Sequence, residues 1–228
     1  MVNGFRALAT DFDGTIAHDG IVDDGTRDAL HRAHDAGLCL LLVTGRELPD
    51  LFNTFAHVHL FDRVVAENGA LMYVPSNGAV RQLAPAPPVA LLNRLLASGV
   101  PLSVGASIIA TVEPHEHAVL AAIRDLGVEW HVVFNKGSVM ALPSGVTKAT
   151  GLVPALEDLA VAPEHTIGVG DAENDHAFLS MCGMRVAVSN ALPSLKDIAD
   201  VVTVGARGEG VVELIDGLLA GTLPAVAR

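Results

Sequence analysis

The sequence contains little cysteine, few basic residues and no long uninterrupted apolar run. Only two cysteines occur among the 228 residues, so a disulfide framework is excluded, and we expect Cys39 and Cys182 to be reduced core thiols. Lysine and arginine total 14 against 26 acidic residues, and the formal net charge of −12 argues against a nucleic-acid-binding surface. No apolar stretch is long enough to span a bilayer, which argues against a membrane protein.

A basic and apolar leader is also absent, because the first polar cluster already begins at Asp11. A secretory signal is therefore not expected, and the predicted location is the cytoplasm. A chain of 228 residues can bury a full core, as one large domain or as two small ones. Its negative charge would repel anionic substrates, so their binding would depend on a local positive site.

Four polar clusters stand at the ends of strand-like apolar runs or at the start of a helix. The first, Asp11-Phe12-Asp13-Gly14-Thr15, directly follows the mostly apolar run of residues 5–10. Open α/β sheets bind ligands at such strand ends, and Gly14 allows the backbone to turn closely around a ligand. The other clusters are Thr44-Gly45-Arg46 after residues 38–43, Lys148 at a predicted helix start, and Gly170-Asp171-Ala172-Glu173-Asn174-Asp175 after residues 166–169.

The clusters would gather up to four carboxylates in one crevice, those of Asp11, Asp13, Asp171 and Asp175. Carboxylates at close range raise each other's pKa and oppose folding unless a cation lies between them. Oxygen ligands favour a hard cation, and a few carboxylates together with water and a substrate phosphate suit Mg²⁺. The sequence therefore predicts Mg²⁺ as the cofactor.

The remaining polar groups of the clusters suit a phosphoryl group. Lys148 supplies a fixed positive charge, and Thr44 and Asn174 supply neutral hydrogen-bonding groups. Phosphoryl transfer depends mainly on positioning and on the stabilisation of charge. A carboxylate can also act as the nucleophile and become an aspartyl-phosphate. We therefore expect phosphoryl-transfer chemistry in this crevice.

The alternation of strand and helix patterns predicts an α/β fold with a Rossmann-like, doubly wound parallel sheet. In the first part we predict helices at residues 24–36 and 48–56, strands at 38–43 and 63–66, and a hairpin of 70–74 with 79–83. After the prolines of residues 85–88, which we interpret as a hinge, the pattern predicts helices at 89–97 and 116–126 and strands at 102–112, 128–134 and 138–142. We expect a core domain of residues 1–84 and 144–228, ending in a helix at 210–220, and a small inserted α+β cap domain of residues 85–143.

With these clusters in this order, the sequence resembles the haloacid dehalogenase-like (HAD) hydrolases over essentially its whole length. Within that superfamily it is similar to the Cof-type, or type IIB, phosphatases, and the inserted cap resembles type C2B. As in that group, the long insertion lies between the clusters of Thr44 and Lys148. Two further segments match the group, namely Ala66-Glu67-Asn68-Gly69-Ala70, and Asn190-Ala191 followed by Lys196.

The resemblance implies a Mg²⁺-dependent phosphomonoesterase that acts through an aspartyl-phosphate. Asp11 would be the nucleophile, and Asp13 would protonate the leaving alcohol and then activate water. The resemblance assigns phosphate binding to Thr44, Gly45, Lys148 and Asn174, the last alternatively to the waters of the metal. It assigns the metal to Asp11, the backbone carbonyl of Asp13, Asp171 and Asp175, the last directly, through water or through Lys148.

The expected partner is a small phosphorylated metabolite, either a sugar phosphate or a phosphoglycolate-like acid, bound by a monomer or a homodimer. Arg46 and Lys136 are candidates for substrate specificity. For Arg46, a structural hydrogen bond is the favoured alternative, whereas Lys136 lies in a predicted hairpin tip of the cap that could reach the crevice. Glu67 and Asn68 would either orient the site or simply turn the chain.

Three other functions fit parts of the pattern. A phosphomutase would pass the same aspartyl-phosphate to a second hydroxyl group. A signalling module would only be phosphorylated on Asp11, although Asp13 and the inserted cap argue against it. An inactive sugar-phosphate binder is opposed by the intact set of clusters.

Overall fold

The computed structural model describes residues 2–223, which form twelve strands and eight α-helices. The strands are β1 (Ala7–Thr10), β2 (Cys39–Val43), β3 (Arg63–Ala66), β4 (Leu71–Val74), β5 (Ala79–Gln82), β6 (Ser103–Val104), β7 (Ile109–Val112), β8 (Trp130–Asn135), β9 (Ser138–Pro143), β10 (Thr166–Gly170), β11 (Met184–Ala187) and β12 (Val201–Val202). The helices are α1 (Asp24–Asp35), α2 (Leu48–Thr54), α3 (Val89–Ala97), α4 (Glu116–Leu126), α5 (Lys148–Asp158), α6 (His176–Met181), α7 (Pro193–Ile198) and α8 (Arg207–Ala220).

Eight strands form a mainly parallel core sheet in the order β12-β11-β10-β1-β2-β3-β4-β5. The pairs from β12 to β3 are parallel, and β4 and β5 continue the sheet as an antiparallel hairpin. β1 and β10 are buried along their whole length, as expected for central parallel strands covered on both faces. The α/β fold class with a mainly parallel sheet is therefore confirmed.

The core sheet is stabilised by strands that are short, continuous apolar runs. Side chains of the central strands and of the covering helices join in one buried cluster that includes Leu8, Leu41, Ile167, Leu30 and Leu214. Burial of such side chains is the main stabilising contribution to a fold of this kind. The parallel strands thus present their carboxyl ends, where the polar clusters begin, along one rigid edge.

A second, antiparallel sheet of four strands has the order β6-β7-β9-β8, and we call this sheet with α3 and α4 the cap. The cap has its own apolar cluster, which includes Leu91, Leu95, Val119, Ile123 and Val139. A small third cluster joins Ala70 and Ala84 to the cap residues Ile108, Met140 and Leu142. The boundaries of the two domains remain predictions, and residues 1 and 224–228 of the predicted core domain lie outside the described residues.

The prediction of one strand at residues 102–112 is wrong. β6 and β7 are separate and pair antiparallel to each other. The chain reverses between them, because the Gly105 N–H donates a hydrogen bond to the Ile108 carbonyl oxygen at 2.9 Å. Ser107 is completely buried at this reversal. The last helix also begins earlier than predicted, at Arg207.

The two cysteines are free thiols, one in the core sheet and the other directly after a helix. Cys39 is half-buried in β2, and Cys182 is buried directly after α6. Burial raises the pKa of the Cys182 thiol to about 12, which makes it an inert core group. None of the helices within residues 2–223 has the length and apolar character that crossing a membrane requires.

Candidate active site

The order of the core strands brings the four polar clusters to one crevice. β1 lies between β10 and β2, so the residues that follow these three strands are neighbours. Asp11 follows β1, Thr44 follows β2, and Asp171 follows β10. Lys148 enters as the first residue of α5, whose start is fixed by a capping box between Thr147 and Thr150.

Lys148 is the centre of the buried charges. Its Nζ lies 2.5 Å from Asp11 Oδ1 and 2.5 Å from Asp175 Oδ1. The side chains of Lys148 and Asp175 are fully inaccessible to solvent. Burial alone would favour a neutral amine, but the two carboxylates raise the pKa of Lys148 above its usual value. Lys148 therefore enters the site as an ammonium ion.

Asp175 acts as a support within this cluster. Its Oδ2 accepts hydrogen bonds from the backbone N–H groups of Asp171 at 2.8 Å and Ala172 at 3.0 Å, while Oδ1 accepts from Lys148. Both of its oxygens thus have donors from the protein. Of the roles predicted for Asp175, namely direct binding of the metal or support through water or through Lys148, the contacts favour support through Lys148, and this role remains a prediction.

Three buried carboxylates form a pocket that could hold a cation. Asp11, Asp171 and Asp175 each offer one oxygen, and these oxygens lie within 4.8 Å of one another. Burial raises the pKa of Asp11 to about 8, with Lys148 opposing the shift and the other two carboxylates adding to it. Burial also raises the pKa of Asp171. A divalent cation would favour the ionised form of both groups, so the donor set fits a hard cation.

Asp13 stands at the mouth of the crevice and is held by Arg46. Arg46 Nε donates to Asp13 Oδ2 at 2.7 Å, and Nη2 donates to Oδ1 at 2.8 Å. Nη1 donates to Asp50 at 2.6 Å and to Thr54 at 2.9 Å, and the guanidinium lies 5.3 Å above the Phe12 ring. The structural hydrogen bond favoured for Arg46 is thus present, and it fixes Asp13.

Thr44, Gly45 and Asn174, for which we predict phosphate binding, lie close together, and a side chain on Gly45 would come within 3.9 Å of Asn174 Nδ2. Thr44 and Asn174 are buried, and Asn174 Nδ2 donates to Asn68 Oδ1 at 2.9 Å. Asn174 Oδ1 is buried and has no hydrogen-bond partner among the described residues. A side chain on Gly45 would approach Met140 Sδ to 3.2 Å, so glycine lets the cap come close. The unpaired oxygen is available to accept a hydrogen bond from a ligand or from water.

A cavity of about 510 Å³ lies between the core and the cap. Its core side includes Asp11, Asp13, Gly45, Arg46 and Asp50, and its cap side includes Ile108, Ala110, Asn135, Lys136, Ser138 and Met140. Lys136, in the turn between β8 and β9, donates a hydrogen bond to Asp171. The predicted hairpin tip therefore does reach the crevice. Its role in substrate binding remains a prediction.

Asn190 had no predicted role, although it lies in a segment that matches the family. Asn190 Nδ2 donates to the Gly14 carbonyl oxygen at 2.8 Å and to Asp171 Oδ2 at 3.1 Å. Its Oδ1 accepts the Arg207 N–H at 2.8 Å, at the start of α8. The match to the family segment was a signal, but Asn190 lies far from these partners in sequence. Asn190 thus joins the first and last polar clusters.

Comparisons with known proteins agree with this geometry. A profile of the haloacid dehalogenase-like hydrolase family matches residues 8–90 and 109–215. The phosphoglycolate phosphatase of Methanothermobacter thermautotrophicus is 34% identical over 224 residues, which cover 92% of this chain and 97% of the relative. The phosphoglycolate phosphatase of Natronomonas pharaonis is 31% identical over 221 residues, covering 92% of this chain and 96% of the relative.

Solved structures share the fold at lower sequence identity. A Thermoplasma acidophilum protein superposes with a TM-score of 0.78 at 16% identity, covering 94% of this chain and 98% of that one. A HAD subclass IIB sugar phosphatase superposes with a TM-score of 0.76 at 20% identity, covering 96% and 100%. At these identities the similarity concerns the fold alone.

The family and the enzyme class predicted from the sequence, that of the phosphatases, are confirmed by the family profile and the curated relatives together. The identity of the metal and the roles of the individual site residues remain predictions. On the profile match and the full-length relatives, the chain belongs to the haloacid dehalogenase-like hydrolase family.

Proposed function

We propose that this phosphatase depends on Mg²⁺ and hydrolyses a small phosphorylated acid, with phosphoglycolate as the first candidate. The observation that carries the proposal is the buried row of Asp11, Lys148 and Asp175, which opens beside Asp13 into a cavity of about 510 Å³. Two full-length relatives are phosphoglycolate phosphatases, which supports the choice of substrate.

Asp11 is the nucleophile of the first step. Lys148 holds Asp11 Oδ1, and Oδ2 accepts no hydrogen bond from residues 2–223. Oδ2 attacks phosphorus, a bond forms between Asp11 and phosphorus, and the bond from phosphorus to the alcohol oxygen of the substrate breaks. Asp13 gives its proton to that oxygen as the alcohol leaves. The product of this step is an aspartyl-phosphate on Asp11.

Asp13 then acts as a base in the second step. It takes a proton from a water molecule, whose oxygen attacks the phosphorus of the aspartyl-phosphate. The bond between phosphorus and Asp11 breaks, which releases inorganic phosphate and restores the carboxylate. Because Arg46 donates to both oxygens of Asp13, one of these hydrogen bonds must open, and the released oxygen must take up a proton from solvent, before Asp13 can act as the acid of the first step.

Mg²⁺ is the cation that these residues suit best. Asp11, Asp171 and the backbone carbonyl of Asp13 would hold it, while Asp175 would support the site through Lys148. The unpaired Asn174 Oδ1 is placed to accept a hydrogen bond from a water of the metal. Donation from Asn174 to phosphate would require the amides of Asn174 and Asn68 to turn over together, because Asn174 Nδ2 donates to Asn68 Oδ1. When bound, Mg²⁺ would offset the negative charge of the phosphoryl group.

Two cations in the cavity lining could receive an acidic group of the substrate. They are Arg46, which already pairs with Asp13 and Asp50, and Lys136, which already pairs with Asp171, so the substrate would compete with these carboxylates. A substrate carboxylate could pair with either cation. Ile108 and Met140 limit the space from the cap side. A sugar phosphate is the second candidate, because Ser103, Asn135 and Ser138 offer partners for hydroxyl groups.

The test measures phosphate release from phosphoglycolate and from a panel of sugar phosphates, with Mg²⁺ and with a chelator. We expect release from phosphoglycolate that requires Mg²⁺ and disappears in Asp11→Asn. Asp28→Asn is the matched control, since Asp28 is an exposed carboxylate on α1.

Each other outcome favours a different function. Faster release from a sugar phosphate would replace the substrate and keep the mechanism. Transfer to an acceptor sugar without phosphate release would indicate a phosphomutase. A stable phosphoprotein without turnover would indicate a signalling module, and unchanged turnover in Asp11→Asn would refute the mechanism.

A further inference from the structure

The turn of residues 67–69 has an unusual backbone conformation. Glu67, Asn68 and Gly69 have φ angles of 50°, 56° and 107°, so three successive residues lie in the left-handed region. Such angles suit glycine and are tolerated by asparagine, but they are uncommon for glutamate. Strained backbone of this kind persists where surrounding contacts fix it, often beside a functional site. The contacts of the turn therefore indicate what it does.

On its core side the turn contacts three of the four polar clusters. The Glu67 and Asn68 N–H groups donate to the carbonyl oxygens of Arg46 and Thr44, each at 2.9 Å. Asn68 Oδ1 accepts the amide of Asn174 at 2.9 Å. At Gly69 a side chain would collide with the Thr147 carbonyl, directly before Lys148. The turn thus packs behind the residues assigned to the phosphate.

On its cap side the turn holds a loop through one carboxylate. Glu67 is buried, and its two oxygens accept the backbone N–H groups of Ala106 at 2.8 Å and Ser107 at 2.7 Å. These residues belong to the reversal between β6 and β7, residues 105–108, which we call the cap loop. Gly105 has no room for a side chain against the Glu67 carboxylate. The fit between carboxylate and loop is therefore close.

Two further hydrogen bonds hold the cap loop in place. Ser107 Oγ donates to the Ala84 carbonyl oxygen at 2.7 Å, and Gln82 Nε2 donates to Ser107 Oγ at 2.9 Å. The next residue, Ile108, is part of the cavity lining. A displacement of the cap loop would therefore move the wall that faces the substrate.

We propose that Glu67 is a positioning residue that docks the cap loop onto the turn behind the phosphate-binding clusters. One side chain thereby sets the distance between the cap wall of the cavity and the end that holds the phosphate. A carboxylate is required, because its two acceptor oxygens match two consecutive N–H donors. In Glu67→Gln one of these oxygens becomes an NH₂ group that faces an N–H, so one hydrogen bond is lost.

The first test follows the exchange of individual backbone amides by NMR, which needs no substrate. In Glu67→Gln we expect the amides of Ala106 and Ser107 to exchange about tenfold faster than in the unaltered protein, as the loss of one charge-assisted hydrogen bond implies. Glu213→Gln is the matched control, because the Glu213 carboxylate also accepts two consecutive N–H groups, those of Val204 and Gly205, both at 2.9 Å. It should leave both cap-loop amides unchanged.

The second test is kinetic and rests on the proposed function. For phosphoglycolate we expect kcat/KM of Glu67→Gln to fall about tenfold, since a small substrate depends on contacts with the docked cap. For p-nitrophenyl phosphate, whose leaving group is activated, we expect a change of about twofold or less. A residue that only stabilised the fold would affect both substrates equally or neither.

Ala106→Pro removes the first N–H donor from the cap side and leaves the core turn intact, so it tests the docking even if Glu67→Gln does not fold. Unchanged exchange of the Ser107 amide in Ala106→Pro, or of both amides in a folded Glu67→Gln, would overturn the proposal. An equal loss of activity on both substrates would also overturn it. Faster exchange in a protein without phosphatase activity would support the docking and refute the proposed function instead.

Discussion

At the scale of single residues, Lys148 determines the character of the site. A buried ammonium ion between two carboxylates compensates charges that would otherwise be unpaired in the interior. It leaves one oxygen of Asp11 for chemistry and fixes Asp175, whose other oxygen accepts two backbone N–H groups. Stability and reactivity therefore depend on the same side chain.

Lys148→Met should lower the free energy of unfolding by about 3 kcal/mol, because the variant leaves two buried carboxylates facing each other without a cation. Urea unfolding in the presence of a chelator measures this loss. Lys196→Met is the control, since within residues 2–223 Lys196 Nζ donates only to the Ser189 carbonyl oxygen, and loss of this bond should cost about 1 kcal/mol or less. Similar losses in the two variants would contradict this account of Lys148.

The residues that assemble at the crevice could be predicted from sequence when they directly follow a strand. Asp11 and Asp171 were predicted together on that ground, since parallel strands end at one edge. The partners of Glu67 could not be predicted, because they are backbone N–H groups of a loop about forty residues away, and no side-chain pattern marks them. For Arg46 the sequence favoured a structural hydrogen bond, but it did not identify Asp13 as the partner.

At the scale of elements, local signals predicted most of the helices and strands close to their observed bounds. Helices α3 and α4 occupy the predicted residues, because apolar periodicity and end signals both act within the segment. The prediction of one strand at residues 102–112 is wrong, because this apolar run contains a chain reversal that depends on contacts with the core. The hydrogen bonds of Ser107 with Glu67, Gln82 and Ala84 form only through tertiary packing, which no local sequence signal predicts.

Helix α1 gives a prediction that involves pH. Asp23 caps the helix by accepting the Thr26 N–H at 2.8 Å, and although partial burial acts in the opposite direction, the hydrogen bonds from Thr26 lower the pKa of Asp23. Asp23→Ala should cost about 1 kcal/mol at neutral pH. The ionised cap stabilises the fold above the unfolded pKa of about 4, and this contribution is lost as pH falls through the lower folded pKa.

Urea unfolding of the unaltered protein and of Asp23→Ala from pH 7 down to about pH 3 checks this expectation. The difference should be constant near neutral pH and shrink in the acid range. Asp23→Asn keeps a capping oxygen without a titrating charge, so it should lack the acid-dependent part. A difference between the aspartate and alanine proteins that grows on acidification would contradict the assignment.

At the scale of the whole molecule, the site lies where two separately packed units meet. The core supplies the charged row, and the cap supplies Ile108, Lys136 and Met140 to the same cavity. Each of the two units has an apolar cluster of its own, and among residues 2–223 a small third apolar cluster joins them. Relative movement of the cap would therefore disturb little apolar packing inside either unit, but it would have to break the contact of Lys136 with Asp171 and the hydrogen bonds of the cap loop.

Binding of Mg²⁺ should stabilise the whole molecule, because only the folded chain gathers the carboxylates. At a concentration one hundred times its Kd, Mg²⁺ should raise the free energy of unfolding by about 2.7 kcal/mol, measured by thermal or urea unfolding. Asp171→Asn should abolish most of this gain, whereas Asp28→Asn should keep it. Equal stabilisation of all three proteins would place the metal elsewhere.

During turnover we expect Asp11 to carry the phosphoryl group. The most direct measurement is mass spectrometry of peptides from enzyme quenched in acid while it hydrolyses phosphoglycolate in the presence of Mg²⁺. We expect phosphate on the peptide that contains Asp11 in the unaltered enzyme and none on that peptide in Asp11→Asn. Continued turnover by Asp11→Asn, or steady turnover of the unaltered enzyme with phosphate on no peptide or on another residue, would contradict the account.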